Sequence, residues 1–148
     1  MQKYIAHRNE HTGLIQTVKE HSENTAALCR EYAVPELKAF MYAVGLLHDC
    51  GKYQTSFAKR INGANIRVEH STCGALAARE QYEVFPMALM MAYCIAGHHS
   101  GIPDGGFPND DKDEPTLQGR MHRSFEDFSA YKEELALPEL DGREWLKY

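Results

Sequence analysis

The distribution of histidine constrains this chain more than any other feature of its sequence. Eight histidines stand among 148 residues. Four of them, His21, His48, His70 and His98, lie on or within one turn of apolar stripes with helical period. Val18, His21/Ser22, Thr25, Leu28/Cys29 and Tyr32 predict a helix over 14–33, ended by Pro35. Leu37, Phe40, Met41, Val44, Leu47 and His48 predict a second over 36–50, stopped by Gly51. A short helix over 54–61 precedes a turn at Asn62-Gly63. Residues 68–83, with Cys73, Leu76 and Ala77 on one side, predict another helix. Residues 85–98, with Pro86 in the first turn and a Met87, Met90, Met91, Cys94 and Ile95 stripe, predict the next. The Asp-, Pro- and Gly-rich stretch 103–119 reads as a loop, and a last helix is expected over 121–137 before Pro138. Residues 1–13 read as polar and irregular. No period-2 alternation of useful length and no internal repeat occurs, so the expected fold class is all-α.

A single histidine on an apolar face is usually a satisfied core residue. Four helices that each send one inward are harder to explain that way. A buried imidazole nitrogen without a partner costs about 1–3 kcal/mol. His99 follows His98 and Asp49 follows His48, each at a helix terminus where the backbone can turn both side chains to one side. Five imidazoles and a carboxylate facing a common centre need a shared partner, and a metal ion is the natural one. One ion seldom takes six protein ligands, whereas two ions sharing a bridging carboxylate use them all. Lys52 lies next to this cluster, and spacing leaves open whether it acts there or is an ordinary surface lysine. His7, His11 and His122 read as solvated surface, and so do Lys59, Arg60 and Arg67. Leu28, Phe40, Met41, Val44, Leu47, Leu76, Met87, Met91 and Ile95 are expected to be buried around the site.

Composition narrows the class without naming a partner. Apolar residues make up 43% and charged residues 25%, as in an ordinary globular domain, which excludes a disordered chain or a disulfide-dense miniprotein. The chain length suits one domain over 1–148, with a core over about 14–106 and an acidic loop and terminal helix over 107–148. No apolar run is long enough to span a membrane and no signal peptide is recognisable. Cys29, Cys50, Cys73 and Cys94 show no CxxC spacing and are expected to be reduced thiols in a cytoplasmic protein. Residues 1–100 carry 10 Lys/Arg against 9 Asp/Glu, and residues 101–148 carry 6 against 12. The net charge of −5 is therefore a property of the last third, and charge is silent on nucleic-acid binding.

Four segments, in order, carry a family resemblance over about residues 14–106. They are His21-Ser22-Glu23-Asn24-Thr25-Ala26, then Gly45-Leu46-Leu47-His48-Asp49-Cys50-Gly51-Lys52-Tyr53, then Glu69-His70-Ser71-Thr72-Cys73-Gly74-Ala75, then Ala96-Gly97-His98-His99-Ser100-Gly101-Ile102-Pro103-Asp104. This pattern resembles the HD phosphohydrolase superfamily. Within it, the chain is most similar to the N-terminal HD nuclease domain of the CRISPR-associated nuclease-helicase of type I systems. The resemblance implies a helical bundle around a two-metal centre that cuts DNA, mainly single strands, in CRISPR interference. A fused or separate helicase domain and a CRISPR RNA-guided surveillance complex are the implied partners. Position by position it implies Asp49 as the bridge, His21 and His48 on one ion, and His70, His98 and His99 on the other. Lys52 matches the family's lysine after the HD pair, so Asp49 and Lys52 are the expected catalytic residues.

The family also uses a second aspartate from a later helix on the ion held by His21 and His48. None of Asp104, Asp110, Asp111, Asp113 and Asp127 stands in a recognisable version of that helix. The chain is accordingly expected to be an N-terminal fragment of a longer nuclease-helicase and weakly active alone. Five histidines favour Mn, Fe, Co or Ni over Mg, which prefers oxygen ligands. Two such ions would generate hydroxide from water near neutral pH for in-line attack on a phosphodiester. Two alternatives use the same residues: an HD-type phosphohydrolase acting on nucleotides in a closed pocket, and a non-catalytic docking module that need not hold stoichiometric metal.

Overall fold

The computed structural model of the chain describes residues 4–83 and 86–141. Among these, seven α-helices and one two-stranded sheet occur, so the chain is mostly helical as its periodicities predict. The order is β1 (Ile5–Arg8), β2 (Ile15–Thr17), α1 (Val18–Tyr32), α2 (Lys38–Leu47), α3 (Thr55–Ile61), α4 (Ser71–Gln81), α5 (Met87–Gly97), α6 (Leu117–Met121) and α7 (Tyr131–Glu134). Residues 84 and 85, at the expected start of α5, lie outside the described residues.

The N-terminal segment departs from its irregular expectation. β1 and β2 pair antiparallel, with Ile5 opposite Thr17 and Arg8 opposite Ile15. Strands of three and four residues are too short for alternation to register as a pattern. Helix α1 therefore starts at Val18 instead of residue 14, and its start is written in the sequence. Thr17 accepts a hydrogen bond from the Glu20 amide while the Glu20 carboxylate accepts one from the Thr17 amide, a reciprocal cap.

α1 buries Val18, Ser22 and Ala26, one face of four-residue spacing. Leu28, expected in the core, is 53% exposed. The reason lies across the interface. A Cβ on Gly45 of α2 would fall 2.5 Å from the Ala26 Cα, so the two helices meet through their smallest residues. That closeness tilts the contact toward Ser22 and Ala26 and leaves Leu28 outside. It also sets His21 beside His48.

α2 carries the densest apolar face, with Phe40, Ala43, Val44, Gly45, Leu46 and Leu47 buried. Leu46 and Leu47 are almost wholly enclosed, and each contributes roughly 1.5–3 kcal/mol of burial free energy. α4 and α5 pack closely, since a Cβ on Gly74 would fall 2.8 Å from Ile95 Cγ2, and both bury small side chains, Ala77 and Ala78 on one and Ala88, Ala92 and Ala96 on the other. The α5 stripe is thus rotated from expectation. Met87, Met91 and Ile95 are buried as predicted, whereas Met90 and Cys94 are exposed, because alanines permit the closer approach. Met41 and Leu76 are only half-buried at the core margin.

The C-terminal third differs most. In place of a helix over 121–137, α6 and α7 are short and 122–130 is non-helical. Leu117, Met121, Tyr131 and Leu135 anchor this segment to the core, and none of residues 122–130 is buried. Phe128 and Ala130 are only partly buried against the core, too little apolar contact to hold a continuous helix. All four cysteines are free, with Cys50 and Cys73 buried. No helix among the described residues is long and apolar enough to cross a membrane.

Candidate metal centre

Three helix ends build the site. α2 stops at His48, and a 3-10 turn over Cys50–Tyr53 follows, so Asp49 hangs from the junction. His70 occupies the residue before α4, and His98 the residue after α5. His21 approaches from the first turn of α1. Chain termini of helices are where backbone direction changes, which lets sequence neighbours such as His48 and Asp49 face one centre.

Asp49 is the hub and is 2% exposed. Its Oδ2 lies 2.9 Å from His21 Nε2 and 3.1 Å from His48 Nε2. Its Oδ1 lies 3.3 Å from His70 Nε2 and 3.5 Å from His98 Nε2. His99 Nε2 meets His70 Nε2 at 2.8 Å. The six side chains fall into two groups whose donor atoms lie within 4.8 Å of one another, His21/His48/Asp49 and Asp49/His70/His98/His99. Each group uses a different oxygen of one carboxylate. Neither group includes Asp104, Asp110, Asp111, Asp113 or Asp127. Asp110 accepts from Thr116 Oγ1 at 2.6 Å, Asp111 from the Asp113 amide and Asp127 from the Ser129 amide.

The hydrogen bonding of the rings decides whether a cation fits. Nδ1 of His48, His70 and His98 faces the carbonyl oxygens of Gly45, Val68 and Ile95 at 2.7, 3.3 and 2.6 Å. A carbonyl only accepts, so each Nδ1 carries the hydrogen and each neutral Nε2 is a bare lone pair. Those of His48, His70 and His98 point at the Asp49 carboxylate, and His21 Nε2 and His99 Nε2 approach His48 Nε2 and His70 Nε2 at 3.1 and 2.8 Å. Asp49 Oδ1 is buried without a hydrogen-bond partner. Lone pairs facing lone pairs repel unless positive charge enters between them. Outer hydrogen bonds that fix the tautomer with Nε2 free are how proteins prepare imidazole for metal. The donor set fits divalent cations with affinity for nitrogen.

Lys52 supplies part of the missing charge. Its ammonium is 2.8 Å from Asp49 Oδ2 and 3.3 Å from His7 Nε2, and the residue is 6% exposed, no ordinary surface lysine. His7 is exposed as expected, but β1 carries it to the rim, its ring 4.7 Å from that of His21. No sequence signal points to that, because the hairpin that places it is too short to read. His11 and His122 are exposed as expected, the latter bonded to the Asp110 carbonyl.

The charge balance has a consequence for pH. Burial, with neighbouring cations, holds His7 and His99 below 6.5. A histidine depressed in the folded state takes its proton more readily when unfolded, so its stabilisation is present above 6.5 and is lost as pH falls below it. The metal-free protein, held in chelator, is expected to melt at falling temperatures as pH drops from 7.5 to 5.5. A melting temperature that rises over that interval would contradict the assignment.

Two clefts meet at the centre. One, of about 370 Å³, is lined by His7, Arg8, Lys52, Arg60, His70 and His99 among others. The second, of about 550 Å³, continues past His70 and His99 to Arg67, Ser100 and Arg123. Arg60 borders both. Arg60 and Arg67, expected only as solvated charges, therefore stand beside the cluster. Lys59, from the same expected patch, lines neither cleft and is exposed.

No curated protein matches the sequence. A profile of the HD domain matches residues 18–139, a span that takes in all six clustered side chains and most of the chain. That match and the cation-ready cluster point the same way: the chain belongs to the HD-domain family, and the membership implies metal-dependent phosphohydrolase activity.

Proposed function

We propose that this domain is a metal-dependent deoxyribonuclease that hydrolyses phosphodiesters, mainly in single-stranded DNA, within CRISPR interference. The observation that supports a polymer over a free nucleotide is the shape of the surface. The two clefts run on either side of His70 and His99 and share Arg60, which suits a strand that enters on one side and leaves on the other. A nucleotide phosphohydrolase needs a closed pocket. A helicase domain, fused or separate, and an RNA-guided surveillance complex are the partners we propose, on the motif resemblance set out above.

In this reading His21, His48 and Asp49 would hold one ion, and Asp49, His70, His98 and His99 would hold the other. When bound, such ions supply Lewis acidity and an activated water. Lys52, held on Asp49 Oδ2 at 2.8 Å, places a fixed positive charge where the scissile phosphate arrives. Arg60, Arg67 and Arg123 fasten the flanking phosphates, since a guanidinium pairs with phosphate through two parallel N–H groups. The buried floor around Asp49 limits water and strengthens these charge interactions.

The test pairs two substrates. Purified protein with manganese should degrade labelled single-stranded DNA and leave mononucleotides intact. Rapid nucleotide hydrolysis with intact DNA would instead favour the nucleotide enzyme, and no stoichiometric metal would favour a docking module. Ion binding itself should be unequal. His70, His98, His99 and Asp49 offer four donors, whereas His21, His48 and Asp49 offer three, and fewer donor atoms bind a divalent ion more weakly. Calorimetry with manganese should show one tight and one weak step. Two equal, tight steps in residues 1–148 would contradict this.

A further inference from the structure

Arg120 is a buried cation at the edge of the second cleft that contributes no donor atom to the metal cluster. It is 8% exposed and comes from α6, between the loop expected over 103–119 and the helix expected from 121. Its Nε donates to Thr72 Oγ1 at 3.0 Å, Nη1 to the Ala96 carbonyl at 3.0 Å and Nη2 to Ser71 Oγ at 2.9 Å, with Glu69 Oε1 at 3.5 Å. Ala96 sits in the last turn of α5, where carbonyls lack helical partners. Two residues later comes His98.

At the other end of the fork, Glu69 and Ser71 flank His70. Glu69 also accepts from the Thr72 amide at 2.9 Å and from Ser71 Oγ at 2.9 Å, which closes the first turn of α4. One guanidinium thus ties the start of α4 to the end of α5, the two helix ends that carry His70, His98 and His99. A lysine has no planar fork and cannot hold acceptors on both ends at once.

We propose that Arg120 is a positioning residue that sets the spacing of His70 against the His98-His99 pair and so the affinity of that half of the centre. Its hydrogen bonds to Thr72, Ala96 and Ser71 across the helix ends, and not a donor atom in the cluster, carry this role. The proposal rests on the two-group metal reading above, and the experiment separates the two.

Cobalt binding to the full chain is followed by calorimetry and by the visible absorption of bound cobalt, with His99→Ala identifying the step that belongs to the four-donor group. In Arg120→Lys and Arg120→Gln that step should weaken by about 10–100-fold, the usual cost of losing an outer-shell partner. Its absorption should shift, while the step at His21 and His48 stays within about twofold of wild type. Thr72→Val, which removes one acceptor and keeps Arg120, should weaken the same step by less. It carries the test if the Arg120 variants fail to fold. Unchanged binding overturns the proposal, as does equal weakening of both steps with a lowered melting temperature, the mark of a purely structural role. Wild-type protein that binds no cobalt overturns the metal reading itself, and the proposal with it.

Discussion

Replacing Asp49 with alanine is expected to abolish hydrolysis. One carboxylate faces His21 and His48 through Oδ2 and His70 and His98 through Oδ1, so its loss removes the shared donor from both groups. Deleting a single electrostatic contact from an active site costs up to about 1,000-fold; here two are lost together, and the fall should exceed that. Cation binding should disappear from both steps of the titration. Asp49→Asn tests the same point with less change in shape, since an amide keeps the volume and loses the charge. The folded helices should survive, because Asp49 contributes little to the apolar core. Substantial cleavage by either variant at saturating manganese would contradict the bridging role.

The second large effect is expected from Gly51→Ala, a change that touches no donor atom. A Cβ on Gly51 would fall 2.4 Å from both the Cα and the carbonyl oxygen of His70. Those are backbone atoms, so the strand of chain before α4 has to move. Gln54 Nε2 locks that contact by donating to the carbonyls of Gly51 at 2.9 Å and Glu69 at 3.0 Å. Overpacking of this kind costs about 1–3 kcal/mol, which lowers the melting temperature by roughly 3–10 °C. His70 moves with its backbone away from Asp49 Oδ1, and a displacement near 1 Å can cost about 100-fold in rate. Thermal melting and DNA hydrolysis at a temperature where the variant is folded check both parts. An alanine variant with wild-type melting and activity would show that the turn is not pressed against His70.

The helical class and most helix cores were legible before any coordinates. α2, α3, α4 and α5 fall within a few residues of their periodic segments because each buries a face, and burial writes a 3.6-residue period into sequence. The errors share a cause. Leu28 and Met90 satisfy the period yet are exposed, because interhelix contact follows the smallest side chains, Ala26 against Gly45 and the alanines of α5. Which edge of a stripe turns inward depends on the partner helix, and one helix's sequence holds no record of that. The β1–β2 hairpin and the break over 122–130 were missed for a related reason: short elements are held by what they pack on, not by their own pattern.

The site divides in the same way. Sequence alone determined that the His48-Asp49 and His98-His99 pairs and His70 stand at helix ends and that His21 lies on an apolar stripe, since adjacency and apolar context are local properties. Only the tertiary structure decided that Asp49 presents one oxygen to each group, that His7 and Lys52 share the rim, and that Arg120 spans the ends of α4 and α5. Those are relations between atoms dozens of residues apart in the chain. Distance in space is set by packing of whole helices, where each interface adjusts to all the others, so no window of sequence contains it.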